Sequence, residues 1–453
     1  MRIRRQDLWN SVIRRTTAVL VSLGLMGYAL GSLPLKAVDV RNPGGEKSAV
    51  AKNASAKGLL LRRDGGIGKP WIVLDEKESI PSGQLLLGLP GAMIDSANGA
   101  VHMNLRADLD QSSPHPIIEN AVVLQENSKV DLDFVLDRGR VDVTNTKKQG
   151  AAQVRVHVRK QSFDLTLEEP GARAALEVYG RWPRGVRFTK TPGPKDVPTT
   201  ELIFLVLAGQ VNFKHETHTF AMKAPPGPAM IEWDSVSGMD EAPEQLKELP
   251  PWASSGDTGS ELGQKRKAVL TKLSKAVATK PIHEVLEEFL KSNDPTERHV
   301  AVYTLAATDD LAALGKALRE TRNADVWDRG VLALRHWIGR GPGQDQILYQ
   351  GLINNKYTPV QAETVLQLLH SFSDEDSTKP ELYHTLIDYL DNDNLAIRGL
   401  AYWHLYRLAP EGRKFGFHPL DDKKERAAAI SKWKQLIPVG KVPPKPSVDG
   451  EKH

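Results

Sequence analysis

The sequence predicts a multidomain chain, β first and α second, behind an N-terminal signal or anchor helix. Three observations carry that expectation: a basic stretch followed by an apolar one at the start, period-two alternation through the first half, and a helical repeat in the second.

Arg2, Arg4, Arg5, Arg14 and Arg15 precede the uncharged run Thr16–Leu33. Its 18 residues exceed a typical signal-peptide apolar region and just reach the length that spans hydrocarbon. Residues 1–37 therefore read as a signal peptide or a membrane anchor, and imperfect cleavage sites at Ala29-Leu30-Gly31 and Leu35-Lys36-Ala37 leave both open. Arginines before the apolar run hold the N-terminus inside and send the rest out, so the body is expected in the periplasm. Residues 38–57, polar and rich in Gly, Lys and Ala, read as a flexible spacer.

Composition narrows the function classes. The formal charge of the 453-residue chain is +4, but residues 1–37 contribute +5, leaving −1 for the body. That is no footprint for nucleic acid. The chain has no cysteine, which removes disulfides, thiolate metal sites and thiol nucleophiles.

Residues 58–235 read as an all-β domain. Val154-Arg155-Val156-His157-Val158-Arg159 and Phe163-Asp164-Leu165-Thr166-Leu167-Glu168 alternate, one side-chain set for a core and one for water. Leu202–Leu207 is a continuous apolar run, suited to a strand covered on both faces. Gly and Pro punctuation at Pro90-Gly91, Asn98-Gly99 and Pro170-Gly171 gives many short strands, as in a sandwich or a β-roll. Residues 75–137 hold 11 acidic and 3 basic side chains, and 138–195 hold 13 basic and 5 acidic. Two readings follow: acidic rows pairing with basic rows across the sheet, or a basic face for an anionic envelope polymer.

The segments Asp137-Arg138-Gly139-Arg140-Val141-Asp142-Val143 and Val206-Leu207-Ala208-Gly209-Gln210-Val211-Asn212-Phe213 resemble the strand, Gly-x-Val, strand turns of the FecR family. Leu85–Ile94 and Ala224–Asp234 resemble the edges of the same domain. The resemblance implies an all-β extracytoplasmic sensor domain of the bacterial envelope, with Gly139 and Gly209 as structural turn glycines. With about 15 residues before the apolar run, no cytoplasmic anti-sigma domain is expected.

Residues 236–261 read as a linker rich in Pro, Ser, Gly and Glu, with Trp252 docking it. Over 262–437 the period becomes helical. Leu286, Leu290, Arg298, Ala301 and Leu305 recur 100 residues later as Leu386, Leu390, Arg398, Ala401 and Leu405. Weaker copies span Leu314–Trp337 and Leu352–Leu369. A helix pair every 30–40 residues is an α-solenoid pattern. The segments resemble HEAT or armadillo repeats, which implies structural roles for Asp294 with Arg298 and for Asp393 with Arg398. Asp421-Asp422 offer an N-cap for a last helix, and residues 438–453 read as a disordered tail. Trp337, Tyr402, Trp403 and Tyr406 are expected in the core, with the concave surface left as the docking site for a protein partner.

Three chemical signals fail on inspection. In RDGGIGKPW, Arg63 stands where a phosphate loop needs Gly, and Pro70 stands where it needs Ser or Thr. His215-Glu216-Thr217-His218 sits on a hairpin with the wrong spacing for a zinc helix. Asp131 and Asp133 share a strand face without a base or nucleophile beside them. No catalytic, cofactor or metal residue is assigned. The function expected is a non-catalytic envelope binding or scaffold protein. A membrane-anchored sensor and an enzyme with an unrecognised site are the alternatives.

Overall fold

The computed structural model describes residues 48–56, 58–113, 118–253 and 259–444. The signal or anchor segment and the last nine residues of the tail lie outside them. Among the described residues, no helix is long and apolar enough to cross a membrane.

Among the described residues, the first half is a mixed β-region of 18 strands, followed by ten α-helices. The strands form two sheets. Sheet I runs in the order β4 (Ser79–Pro81), β1 (Ala49–Asn53), β6 (Met93–Ser96), β7 (Val101–Arg106), β9 (Leu132–Asn145), β12 (Arg173–Arg181), β13 (Thr199–Ala208) and β16 (Gly227–Asp234). The short strands β17 (Gly238–Met239) and β18 (Glu244–Leu246) finish it on β16. Sheet II runs β3 (Ile72–Val73), β2 (Leu60–Arg63), β5 (Leu85–Gly88), β8 (Asn120–Gln125), β9, β10 (Ala152–Val158), β11 (Gln161–Leu167), β14 (Gln210–His215) and β15 (His218–Lys223). Among the described residues, only the β9–β10 pairing is parallel.

Strand β9 belongs to both sheets. Its first half pairs with β8 and β10, its second half with β7 and β12, and Gly139 (φ 86°) sits at the change. Gly209 (φ 69°) likewise joins β13 of sheet I to β14 of sheet II. The turn expected at Gly139 is therefore a crossing inside one continuous strand. In both segments the valine two residues on, Val141 and Val211, enters the apolar core shared by the two sheets. A Cβ on Gly139 would collide with Asn120 Oδ1 and the Glu119 carbonyl, so glycine is required by space as well as by φ.

Two further expectations change. The spacer expected over 38–57 enters the fold at its end, where β1 pairs with β4 and β6 and buries Ala51 and Asn53. The linker expected over 236–261 carries β17 and β18, and its Trp252 and Ala253 pack on Ala175, Leu205 and Leu207. That explains Leu202–Leu207. Leu202, Phe204 and Val206 fill the core between the sheets, while Leu205 and Leu207 lie under the docked segment.

The helices are α1 (Glu261–Val277), α2 (Ile282–Leu290), α3 (Pro295–Ala307), α4 (Leu311–Glu320), α5 (Ala324–Gly339), α6 (Gln344–Asn354), α7 (Pro359–His370), α8 (Pro380–Tyr389), α9 (Leu395–Leu408) and α10 (Lys423–Leu436). Leu61, Leu87 and Ala121 from sheet II join the helical core, while their neighbours Leu60, Leu86 and Val122 join the core between the sheets. The period-two geometry of a strand sends adjacent side chains to opposite faces. At β2, β5 and β8 sheet II is therefore covered on both sides, and the leucine runs there do not alternate with polar residues, whereas β10 and β11 keep their alternation.

The ends of two helices meet the strands. A helix leaves its last carbonyls without internal donors. At the end of α3, Arg138 Nη2 donates to the Ala307 carbonyl (2.9 Å) and Trp71 Nε1 to that of Thr308 (2.9 Å). At the end of α5, Trp182 Nε1 donates to the Ile338 carbonyl (3.0 Å), and Arg159 donates to that of Arg340. Cations at helix C-termini also complement the helix dipole.

Candidate functional site

The residues singled out in the repeats lie at the starts of helices α3 and α9, with one shift of register. Asp294 caps α3 by accepting from the Thr296 N–H (2.8 Å). Arg298 turns away from it. Its Nη1 donates to the Ser292 carbonyl (2.8 Å) and its Nη2 pairs with Asp325 (2.9 Å). One hundred residues on, Arg398 Nη1 donates to the Asn392 carbonyl (2.7 Å), the same relation. The cap there is Asn394, which accepts from the Ala396 N–H (2.9 Å). Asp393, expected to fill that role, contributes its backbone carbonyl to Arg398 (3.0 Å). The capping position is the one 100 residues after Asp294, so the shift follows from the repeat itself.

His215 and His218 face each other across the β14–β15 hairpin, His215 buried and stacked on Phe163 at 4.5 Å, His218 exposed. Asp131 pairs with Lys147 (2.8 Å). The expectation that Asp133 has no base or nucleophile beside it is corrected: His157 Nε2 lies 2.9 Å from Asp133 Oδ1, and His157 Nδ1 lies 2.8 Å from Ser162 Oγ. Among the described residues, no cluster of three His, Asp or Glu could hold a metal ion.

Charge gathers in two places. The first is a buried cluster at the seam between sheet II and the helices. Arg340 Nη2 donates to Glu119 Oε1 (2.8 Å), Arg138 Nε lies 3.5 Å from the same oxygen, and Arg340 Nη1 reaches Asp309 Oδ1 (3.2 Å). Asp309 also accepts from Arg63 Nη1 (2.7 Å) and Trp337 Nε1 (2.8 Å). Burial alone would raise the Glu119 carboxyl; His336, Arg340 and Arg138 reverse that and hold it well below the usual range. His336, 3.4 Å from Glu119 and stacked on Tyr179 at 5.1 Å, has its pKa lowered by burial. The members of this cluster join the strands to the helices.

The second place is accessible. Asp328 on α5 and the face Trp403-Tyr406-Arg407 of α9 meet, positions three and four residues apart being neighbours on a helix. Trp403 Nε1 (3.1 Å), Tyr406 Oη (2.9 Å) and Arg407 Nη1 (3.2 Å) all donate to Asp328 Oδ1. The Trp403 ring carries Arg407 at 4.5 Å and Arg335 at 5.6 Å, and the Tyr406 ring carries Arg413 at 4.7 Å. Burial lowers Arg335 to about 10, with Arg407 and Arg184 pushing the same way, so it remains charged at neutral pH. Beside Asp328, Arg329 hydrogen-bonds Tyr303.

Arg407 thus pairs with Asp328 while Arg335 and Arg413 lie over the rings of Trp403 and Tyr406, and Arg407 and Arg413 are exposed. Trp337 and Trp403 are buried as expected, while Tyr402 and Tyr406 are half-buried. The arginines and Asp328 were missed in the sequence, although the spacing of Trp403, Tyr406 and Arg407 places them on one face. The partner across the gap, Asp328, lies 75 residues earlier than Trp403 and has no local signal.

No family model, no curated protein and no solved structure matches the chain.

Proposed function

We propose that this chain is a non-catalytic binding and scaffold protein that works outside the cytoplasm at a bacterial envelope. Residues 16–33 export or anchor it there. The β-region, FecR-like by its Gly-x-Val segments, senses or contacts the envelope and its anionic polymers. The HEAT-like helical repeats dock a protein partner with an acidic surface. One observation carries the reading: the arginine and aromatic surface around Asp328, where cations outnumber the carboxylate and two guanidiniums remain exposed. Arginine and aromatic side chains together are the usual anchors of protein interfaces.

The reading as a membrane-anchored sensor has its own support. One face of sheet II packs into the helical core, so a change felt at those strands would reach the helical surface through packed side chains.

The test is in-cell photo-crosslinking from position 413, with the Arg407→Glu/Arg413→Glu variant as the comparison. A single envelope protein crosslinked to the wild type and lost in the charge-reversed variant is expected. Equal crosslinking in both would end the proposal for this surface, and protease protection of the body in intact spheroplasts would end the extracytoplasmic assignment.

A further inference from the structure

The outer face of sheet I carries a polar cavity that no role described so far uses. It measures ≈ 130 Å³ and is lined by His102, Asn104, Arg106, Asp142, Thr144 and Arg173, with Leu207 and Ala253 at its apolar margin. The sheet register builds it. His102, Thr144 and Arg173 form one row across β7, β9 and β12, and Asn104 with Asp142 forms the next. Trp252 and Ala253 of the docked segment pack on Leu205 and Leu207, and Ala253 borders the cavity formed by these two rows.

The charges in the cavity do not cancel. Asp142 is met by Arg140 Nη2 (3.0 Å) and by Arg106 Nε (3.4 Å), and His102 Nδ1 turns to Asp95 (2.6 Å). Arg140 is directed further, its Nη1 donating to the Trp252 carbonyl (2.6 Å). Buried Glu177 lies across from Arg140 on β12. Among the lining residues, two arginines, Arg106 and Arg173, face one carboxylate, Asp142. Arg173 is the one left over: it is exposed and has no hydrogen bond or ion pair among the described residues.

We propose that this cavity binds one oxyanion group, a carboxylate or a phosphate, with Arg173 as its principal charged contact and Asn104 and Thr144 as neutral hydrogen-bonding groups. The volume equals roughly four waters at about 30 Å³ each, which fits one such group and excludes a drug-sized ligand. A guanidinium matches either oxyanion through paired N–H donors. The inference gives the polymer contact of the β-region a place and rests on that reading only for the polymer, not for the oxyanion site.

The test is calorimetric titration of the full chain with three probes: inorganic phosphate, an oligogalacturonate, and vesicles of anionic phospholipid. A saturable site for phosphate or for the uronate is expected, weakened about tenfold by Arg173→Ala and untouched by Arg413→Glu. Arg173→Ala should keep the thermal midpoint of the parent, since the side chain is exposed. Phosphate binding that needs Arg173, with no gain for oligogalacturonate or vesicles, supports the cavity and removes the polymer reading. Vesicle binding that needs Arg173 assigns the oxyanion to a lipid headgroup. Wild type and Arg173→Ala behaving alike, or no heat with any probe, overturns the proposal.

Discussion

Gly180 on β12 and Gly339 on α5 meet backbone to backbone. A Cβ added to Gly339 would lie 2.8 Å from the Gly180 carbonyl oxygen and from Arg181 Cα, and one added to Gly180 would collide with the Gly339 carbonyl. Neither glycine has a positive φ, so the requirement is space alone. Close approach lets Trp182 and Arg159 reach the carbonyls at the end of α5. Gly180→Ala or Gly339→Ala should therefore destabilise by about 1–3 kcal/mol through overpacking, read as a lowered thermal midpoint. One face of sheet II is packed into the helical core, so the transition should remain single in near-UV and far-UV dichroism. Separate melting of the two halves would refute this account of the seam.

Glu119 is the counter-ion of that seam, its side chain 4% exposed between Arg340 and Arg138. Glu119→Gln leaves two buried guanidiniums short of charge and should cost about 3–5 kcal/mol. The pH dependence has a definite sign. A carboxyl whose folded pKa is depressed contributes stability that is present above its unfolded pKa, about 4.3, and is lost as pH falls through the folded value. Denaturant midpoints of wild type and Glu119→Gln should differ most near neutral pH and converge in strong acid. A gap that stays constant down to pH 2 would show that the charge is not what the variant removes.

The order of β and α regions was legible because both rest on local periodicity. Alternation at Val154–Val158 and Phe163–Leu167 marks β10 and β11, and both strands form as expected. The repeat from Leu286 to Leu305 likewise marks the helix pairs. What could not be read depends on partners far along the chain. Leu61 and Leu87 look like ordinary strand leucines, and only the docked helices explain why both strand faces are apolar. Arg138 and Arg340 lie about 200 residues apart and meet at Glu119. Gly139 was legible as a glycine in need of positive φ, but its crossing between sheets depends on β8 and β7 pairing with opposite halves of one strand. The cavity row His102-Thr144-Arg173 depends on register, which composition does not encode.

The shifted cap offers a direct comparison. Asn394 accepts from two N–H groups at the start of α9, from Ala396 at 2.9 Å and Ile397 at 3.3 Å, while the Asp393 carboxylate makes no hydrogen bond among the described residues. Asn394→Ala should cost about 1 kcal/mol, a usual value for a lost N-cap. Asp393→Ala should stay within about 0.5 kcal/mol, as for a surface residue. Chemical denaturation of the two variants side by side checks this, and equal losses would return the capping role to Asp393.

His404 is one of the buried histidines that tie the stability of the helical region to pH. Burial lowers its pKa to about 3, although the bond to the Leu368 carbonyl opposes the shift, and the charges of Arg335 and Arg407 add to it. The ring is 4% exposed, donates from Nε2 to the Leu368 carbonyl (2.7 Å), and meets Phe372 edge-on at 4.8 Å. In the unfolded chain a histidine takes up its proton near pH 6.5. Between about pH 6.5 and 3 the unfolded state therefore binds one proton more than the folded state. Stability from this group is complete above pH 6.5 and falls with acidification, by up to about 1.4 kcal/mol per pH unit. His404→Phe removes the titration and leaves the Leu368 carbonyl without its donor. The variant should be less stable at pH 7.5 by about 1–3 kcal/mol and should lose stability more slowly than wild type from pH 6 to pH 4. The two curves should therefore approach each other in acid. Urea midpoints at half-unit intervals of pH decide it, and parallel slopes would mean that His404 is protonated in the folded protein.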